Sequence, residues 1–517
     1  MRTRVARLAI ALLALLAPSI ALRADPQIHL FGPTPGNVKL AAPGTVQHAI
    51  VIDIDGLRRD SLYGLLATEP GNIPNISSIV GSVTYDSQED AYEFQNAAGV
   101  NRATTMLPSV TLPSQLAILT GLWPKHHGIP ANAWFSRTLG QPIVAEALLE
   151  QLLGGIIPGK EAQTLLQLAG DQGYSAALCF DPSAYEADVR GAAGKLSLDP
   201  VALDALMTTA VLQLVNDTGI PRILLVYYPG NDINSHANGA QTQQDYLKDT
   251  LDGFIGKLLH GEAAKPQVEP LPGLLDLDPD LFSHTLFVFC ADHGHINIQP
   301  DEAHTISSVK LNSALSGVGY TIGQNAAYLP NGGAGLLYLK NRRSDRWTRP
   351  RAYADVLPAA RALAGSKVAH GGSLDFLLVR VNDSPDGAAY RVFDLDAGRV
   401  RSLLSFFFTR RLHGRVYPDA VSRILGTDPA KLGDIIIFPN RAEGYECAEA
   451  PGFVSDHGSL GAIESYVPMI FARGGTLPRT LPRARNIDIA PTVAEALGLW
   501  LAWSRTDGQP LPINSGP

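Results

Sequence analysis

The sequence predicts an α/β fold: a central, largely parallel sheet flanked by helices, with an inserted cap region. Three observations carry that expectation. Short apolar runs rich in β-branched residues recur along the chain, as strands buried on both faces require. Helix-like stretches separate several of them, the alternation that builds parallel sheets. Carboxylates stand just past the ends of these runs, where open α/β sheets bind ligands.

The 517-residue chain opens on an address. Met1 to Arg7 is basic, and Leu8 to Leu22 is apolar apart from Ser19 and broken by Pro18. Small residues around Ala21 and Ala24 suit cleavage, so residues 1–24 are expected to be a secretory signal peptide. The mature chain is then periplasmic or secreted. The run is shorter than the ~20 apolar residues of a membrane span, and no other run is long enough. Residues 25–44, rich in Pro and Gly, read as an extended lead-in.

The first strand is Ala49-Ile50-Val51-Ile52-Asp53-Ile54, ending in Asp55-Gly56. Similar runs follow at Ala176–Phe180, Ile223–Tyr228, Thr285–Ala291, Ile435–Phe438 and Val467–Ala472. Helix-like stretches cover Val201–Val215, Tyr246–Leu259 and Tyr353–Ala364. Asp488 opens a last helix, Val493–Leu497, which Gly498 stops. Residues 45–300 are expected to form the first part of a catalytic domain and 434–500 its last part, with 501–517 a tail. Residues 136–200 are loosely patterned. Residues 301–433 read as an insertion or cap with strand-like Gly335–Leu339 and Phe376–Val381.

Composition narrows the function. Hydrophobic content of 45% with 17% charged residues belongs to a folded globular chain. A net charge of -8 without a long Lys/Arg run disfavours binding to a nucleic-acid polymer. Three cysteines are not a disulfide framework. Cys179 and Cys290 fall in apolar runs and read as core; Cys447 is left as the partner in at most one bridge.

The chemistry centres on Thr111, in Ser109-Val110-Thr111-Leu112-Pro113-Ser114. A β-favouring run meets the helix-like Gln115–Leu119 there, and Pro113 suits a first helical turn. Thr111 is thus expected at a helix N-terminus, where free N–H groups favour negative charge. A lone threonine in that place is ordinarily only an N-cap. Four more stations supply what a hydroxyl nucleophile lacks: Asp55, then Asp232 and His236, then Asp292-His293-Gly294, and Asp456-His457-Gly458. Asp232 and His236, four apart, share one helical face. Carboxylates and imidazoles without thiolates suit zinc or a related divalent ion. One ion can take Asp55, Asp292 and His293, and a second can take Asp232, His236 and His457. Alone, Asp-Gly or Asp-His-Gly is commonly a turn; their joint occurrence at strand ends, in this order, is the specific signal. His126 and His127 read as shaping the loop after the nucleophile helix; His295 and His304 read first as surface or loop histidines, with a role behind the ligands or facing substrate as the alternative. Trp123, Trp134 and Phe135 read as core, with stacking on a base or an aryl leaving group as the alternative.

The blocks IDIDGLRRD, MLPSVTLPSQLAILTGLWPKHHGIPAN, DINSH, ADHG, DHGSL with VPMIFARGG, and NIDIAPTVAEALG resemble the type I phosphodiesterase/nucleotide pyrophosphatase branch of the alkaline phosphatase superfamily. They span about residue 48 to residue 499. The resemblance implies an alkaline phosphatase-like fold, two zinc ions, Thr111 as nucleophile and a covalent phosphothreonine. It selects Asp55 over Asp53 as ligand and leaves Asp53 a supporting role. Ser114 and Gln115, one turn past the threonine, are the candidates to hydrogen-bond a phosphate oxygen. Ser235 departs from the glycine common before the ligand histidine. The implied substrate is a small phosphate ester, such as a nucleotide, cleaved at a diester or pyrophosphate bond. A phosphomonoesterase, a phosphonate hydrolase, or a binding protein that has lost catalysis are the alternatives on this scaffold.

Overall fold

The computed structural model describes residues 27–31, 46–144, 162–180, 199–264, 270–344, 346–382, 390–501 and 506–514. The expected signal peptide, residues 1–24, lies outside the described residues. Eight strands make the main sheet: β1 (Gln27–Phe31), β2 (His48–Ile54), β3 (Ala97–Val100), β4 (Ala176–Phe180), β5 (Ile223–Tyr228), β6 (Thr285–Cys290), β7 (Met469–Ala472) and β8 (Arg479–Leu481). Their order is β1-β4-β5-β2-β6-β7-β3-β8.

The four strands β4, β5, β2 and β6 run parallel, with Val51 facing Leu225 on one side and Val288 on the other. Ile50, Ile52 and Ile54 are wholly buried, as helices over both sheet faces require. Antiparallel strands extend this centre. β1, drawn from the expected lead-in, pairs with β4, and β7 pairs with both β6 and β3.

The helices form where expected, with longer bounds. Four carry the argument: α1 (Thr111–Thr120), α2 (Pro200–Thr218), α3 (Gly230–Asn238) and α4 (Ile489–Ala496). Asp199 caps α2 by accepting the N–H groups of Val201 and Ala202, with Pro200 in the first turn. The stretch expected at Tyr246–Leu259 is helical from Gln243 to His260, with a π-turn at Leu247–Leu251. Gly498, with φ of 65°, follows α4 and ends the run.

One strand lies elsewhere than expected. Ile435–Pro439 does not join the parallel sheet. It is central in a second, antiparallel sheet ordered Ala326–Asn331, Ala334–Leu339, Ile435–Pro439, Leu374–Arg380, Tyr390–Asp394, Arg399–Arg401. An apolar run records burial on both faces but not the direction of its neighbours. All three cysteines, Cys447 included, are buried thiols outside any disulfide. No helix among the described residues is long and apolar enough to cross a membrane.

Candidate active site

The site forms where the parallel strands end. Asp55 follows β2, α3 begins two residues after β5, and Asp292 lies two residues past β6. Thr111 is the first residue of α1, after Val110 in extended conformation. Every residue of α1 is buried, so the helix is held by packing along its whole surface. Thr111 Oγ1 stands 3.2 Å from His293 Nε2.

His293 belongs to the first group. Its Nε2 lies 3.3 Å from Asp55 Oδ1 and 3.4 Å from Asp292 Oδ2. Asp292 Oδ1 accepts the N–H groups of Gly56 at 3.1 Å and His293 at 2.8 Å. Its Oδ2 has no hydrogen-bond donor. Burial pushes the Asp292 carboxyl up to about 7. The Tyr227 hydroxyl donates to Asp55 Oδ2, and Asn231 Nδ2 donates to the Asp55 carbonyl at 2.8 Å. Below them Asp53 is fully buried. Burial, then the charge of Asp292, holds its carboxyl well above the usual range.

The second group joins Asp232, His236 and His457. His236 Nε2 lies 3.3 Å from Asp232 Oδ2, one turn apart on α3, and His457 Nε2 lies 3.8 Å from Asp232 Oδ1. Both rings are aimed from behind. His236 Nδ1–H donates to the Ser455 carbonyl at 2.9 Å, and His457 Nδ1–H donates to the Ser109 carbonyl at 3.1 Å. A carbonyl only accepts, so each Nδ1 carries a proton and each Nε2 is left facing the carboxylate, the orientation metal-ligating histidines favour. Burial alone would raise Asp232. His236 and His295 outweigh it and hold the carboxyl well below the ordinary range.

These side chains fit divalent cations. Two donor atoms on one tetrahedral zinc, each about 2.0–2.1 Å from it, stand roughly 3.3 Å apart. The Asp55–His293, Asp292–His293 and Asp232–His236 pairs have that spacing. The donors are oxygen and nitrogen only, and the Asp292 oxygen without a hydrogen bond faces the first group.

Both candidate phosphate contacts, Ser114 and Gln115, are buried in the first turns of α1. Ser114 Oγ lies 2.8 Å from Thr105 Oγ1, and the Gln115 amide nitrogen is buried with no hydrogen-bond acceptor. Asn132, the last residue of the nucleophile block, reaches the same place from outside the helix. Its Oδ1 accepts the Leu112 N–H at 2.9 Å, which sets a side-chain amide beside Thr111.

Two further residues were not among the expected site residues. His295, read there as a loop or surface histidine, is instead completely buried with Nε2 2.5 Å from Asp232 Oδ1. Its one signal is a third polar ring in Asp-His-Gly-His. Arg423 is completely buried and donates to the Met106 carbonyl at 2.6 Å, Ser109 Oγ at 2.8 Å and Ser465 Oγ at 2.7 Å. It braces the loop ahead of Thr111. Arg137 pairs with Asp434 at 2.5 Å. Arg102 lines a cleft of about 830 Å³ with Arg58, Tyr92, Phe407 and Tyr466. Trp123, Trp134 and Phe135 are buried in apolar clusters, as read from the sequence.

Comparison with known proteins gives the family and the fold. The family model described as type I phosphodiesterase / nucleotide pyrophosphatase matches residues 49–395. An uncharacterised pyrophosphatase/phosphodiesterase of Schizosaccharomyces pombe is 23% identical over 270 residues, 47% of this chain and 44% of the relative. The match thus spans less than half of that relative's length. Among solved structures, murine ectonucleotide pyrophosphatase/phosphodiesterase 5, an inactive threonine-to-alanine form in complex with AMP, superposes with a TM-score of 0.54. That match has 15% identity and covers 90% of this chain and 97% of the other, a likeness of alkaline phosphatase-like fold. With a family model covering well over half its length, the chain belongs to the type I phosphodiesterase/nucleotide pyrophosphatase family.

Proposed function

We propose that the protein is a secreted two-metal phosphohydrolase that cleaves phosphodiester or pyrophosphate bonds through a covalent phosphothreonine at Thr111. One observation carries the reading: Thr111 Oγ1 lies 3.2 Å from a histidine nitrogen that is itself 3.3 and 3.4 Å from two buried carboxylates. Asp55, Asp292 and His293 hold one cation, and Asp232, His236 and His457 hold the second. Divalent cations there, zinc by donor chemistry, supply Lewis-acid charge that lowers a hydroxyl pKa and offsets charge on phosphate oxygens.

The chain's own groups do the rest. Thr111 Oγ1 loses its proton to solvent and attacks phosphorus in line. The bond from phosphorus to the leaving oxygen breaks, and the leaving group departs with the electron pair. Water then attacks the same phosphorus, the Thr111 Oγ1–phosphorus bond breaks, and Thr111 regains a proton. The dipole of α1, whose N-terminus carries Thr111, favours the negative charge that gathers there. The Asn132 amide, beside Thr111, donates to a phosphate oxygen.

Diesters are favoured over monoesters by the arginines. Arg423, the guanidinium that touches the nucleophile loop, gives its hydrogen bonds to protein oxygens, so it does not meet the extra charge of a monoester. The complex of the murine relative with AMP supports a nucleotide among the ligands of this site. Turnover of bis(4-nitrophenyl) phosphate and 4-nitrophenyl phosphate, with and without chelator, tests the reading. Chelator-sensitive turnover that is faster on the diester is expected. Faster turnover of the monoester moves the assignment to a phosphomonoesterase, and none on either ester in metal-loaded protein moves it to a binding protein.

A further inference from the structure

We propose that His295 is a positioning residue for the second group: it fixes the orientation of the Asp232 carboxylate toward His236 and His457. The inference rests on the reading above, that this group binds a divalent cation. Nothing in the mechanism so far uses His295, yet its ring is completely buried at the centre of the site.

Distances separate a ligand from a support. The three pairs assigned to common cations stand 3.3–3.4 Å apart, near the roughly 3.3 Å expected of donors on one zinc. His295 Nε2 and Asp232 Oδ1 are 2.5 Å apart, a charge-assisted hydrogen bond. A carboxylate oxygen can only accept here, so the proton sits on Nε2 and that nitrogen has no lone pair for a metal. The bond occupies Oδ1, while Oδ2 faces His236.

The far side of the ring is fixed as well. His295 Nδ1 lies 2.9 Å from Ser455 Oγ, and that hydroxyl is itself placed by the Ser235 carbonyl 2.7 Å away. The carbonyl of the same Ser455 takes the Nδ1–H of His236 at 2.9 Å. One serine therefore orients a ligand ring and the ring that orients the ligand carboxylate, and the two imidazoles meet edge to face at 4.6 Å.

Gly56 makes room for the pair. A Cβ there would fall 2.7 Å from His295 Cδ2 and 2.6 Å from Asp232 Oδ1, and its φ of +66° suits glycine. The glycine after Asp55, in the first group, thus has its packing reason in the second.

Zinc affinity is the test, measured at both sites by competition with a chromophoric chelator on the full mature chain. Wild type is compared with His295→Ala, which removes the donor, and His295→Gln, whose amide can reach Asp232. Melting of each protein in excess chelator reports any purely structural effect separately. Losing such a support ordinarily costs 10–100-fold in metal affinity. The expected result is about that weakening of one zinc in His295→Ala, with the other zinc held as before and most of the loss recovered in His295→Gln. Equal zinc affinity in wild type and His295→Ala overturns the inference and leaves the metallohydrolase reading standing. Wild type that binds no divalent cation overturns both. Should His295→Ala fail to fold, His295→Gln against His295→Met makes the same comparison, and equal affinities there count against the inference.

Discussion

The imidazoles of His293 and His457 lie stacked, their ring centroids 3.6 Å apart and their planes 20° from parallel. One ring belongs to the group with Asp55 and Asp292, the other to the group with Asp232 and His236. The two groups therefore share a wall, and Thr111 stands beside it. Under the proposed reading, cations held by both groups would act on the attacking and leaving oxygens of one phosphate.

Chelation should cost stability as well as activity. Buried carboxylates such as Asp292 are held against their desolvation penalty, and a bound cation offsets it. Zinc at 100 times its Kd stabilises by about 2.7 kcal/mol per site. Calorimetry of chelated protein titrated with zinc should show a rising Tm and returning turnover. A Tm indifferent to zinc would speak against metal at either group.

Thr111→Ala should lower turnover of an aryl phosphodiester on the order of 10³-fold or more, since the group that makes the bond is gone. Zinc content and circular dichroism should not change. Thr111→Ser should keep measurable turnover. A Thr111→Ala protein that works as well as wild type removes the nucleophile assignment.

Arg423→Met should lower both stability and turnover. The substitution leaves the carbonyl of Met106 and the hydroxyls of Ser109 and Ser465 without their buried donor. Buried polar groups in that state cost about 1–3 kcal/mol each. The loop they brace carries Thr111, and a displacement of about 1 Å can cost 10²-fold in rate. Urea denaturation and kcat, taken together, measure the effect. Loss of stability with full kcat would show that Arg423 braces the fold without placing the nucleophile.

Asp204 makes stability depend on pH. It is a buried residue of α2 that reaches the start of α3, accepting the Gly230 N–H at 2.9 Å and the Tyr246 hydroxyl at 2.8 Å. Burial pushes its carboxyl up to about 7, against about 3.9 in an unfolded chain. Between these values the folded state holds a proton that the unfolded state has released. The stabilisation is complete below about pH 4 and is lost as pH rises through about 7, roughly 4 kcal/mol in all. Denaturation at pH 5 and pH 8 should show a steeper fall for wild type than for Asp204→Asn. Identical slopes would assign the dependence to other groups.

Much of this architecture can be read from the chain, for physical reasons. β2, β5 and β6 are buried on both faces and therefore appear as continuous apolar runs, and their polar ends bring Asp55, Asp232 and Asp292 to one edge of the sheet. Proline and the change of period mark the start of α1 near Thr111. What stays hidden depends on distant partners. His295 becomes an interior residue only because Ser455, 160 positions away, covers it. Arg423 meets Met106 across 317 positions. Ile435–Pro439 looks like any other buried strand, since periodicity says nothing of which sheet receives it.

The covalent adduct tests the central claim most directly. Metal-loaded protein mixed with bis(4-nitrophenyl) phosphate, quenched in acid within the first turnover and digested, should yield a peptide spanning Thr111 that carries one 4-nitrophenyl phosphoryl group. The same peptide from Thr111→Ala should carry none. An adduct on another residue, or turnover with no adduct at any quench time, would contradict the account.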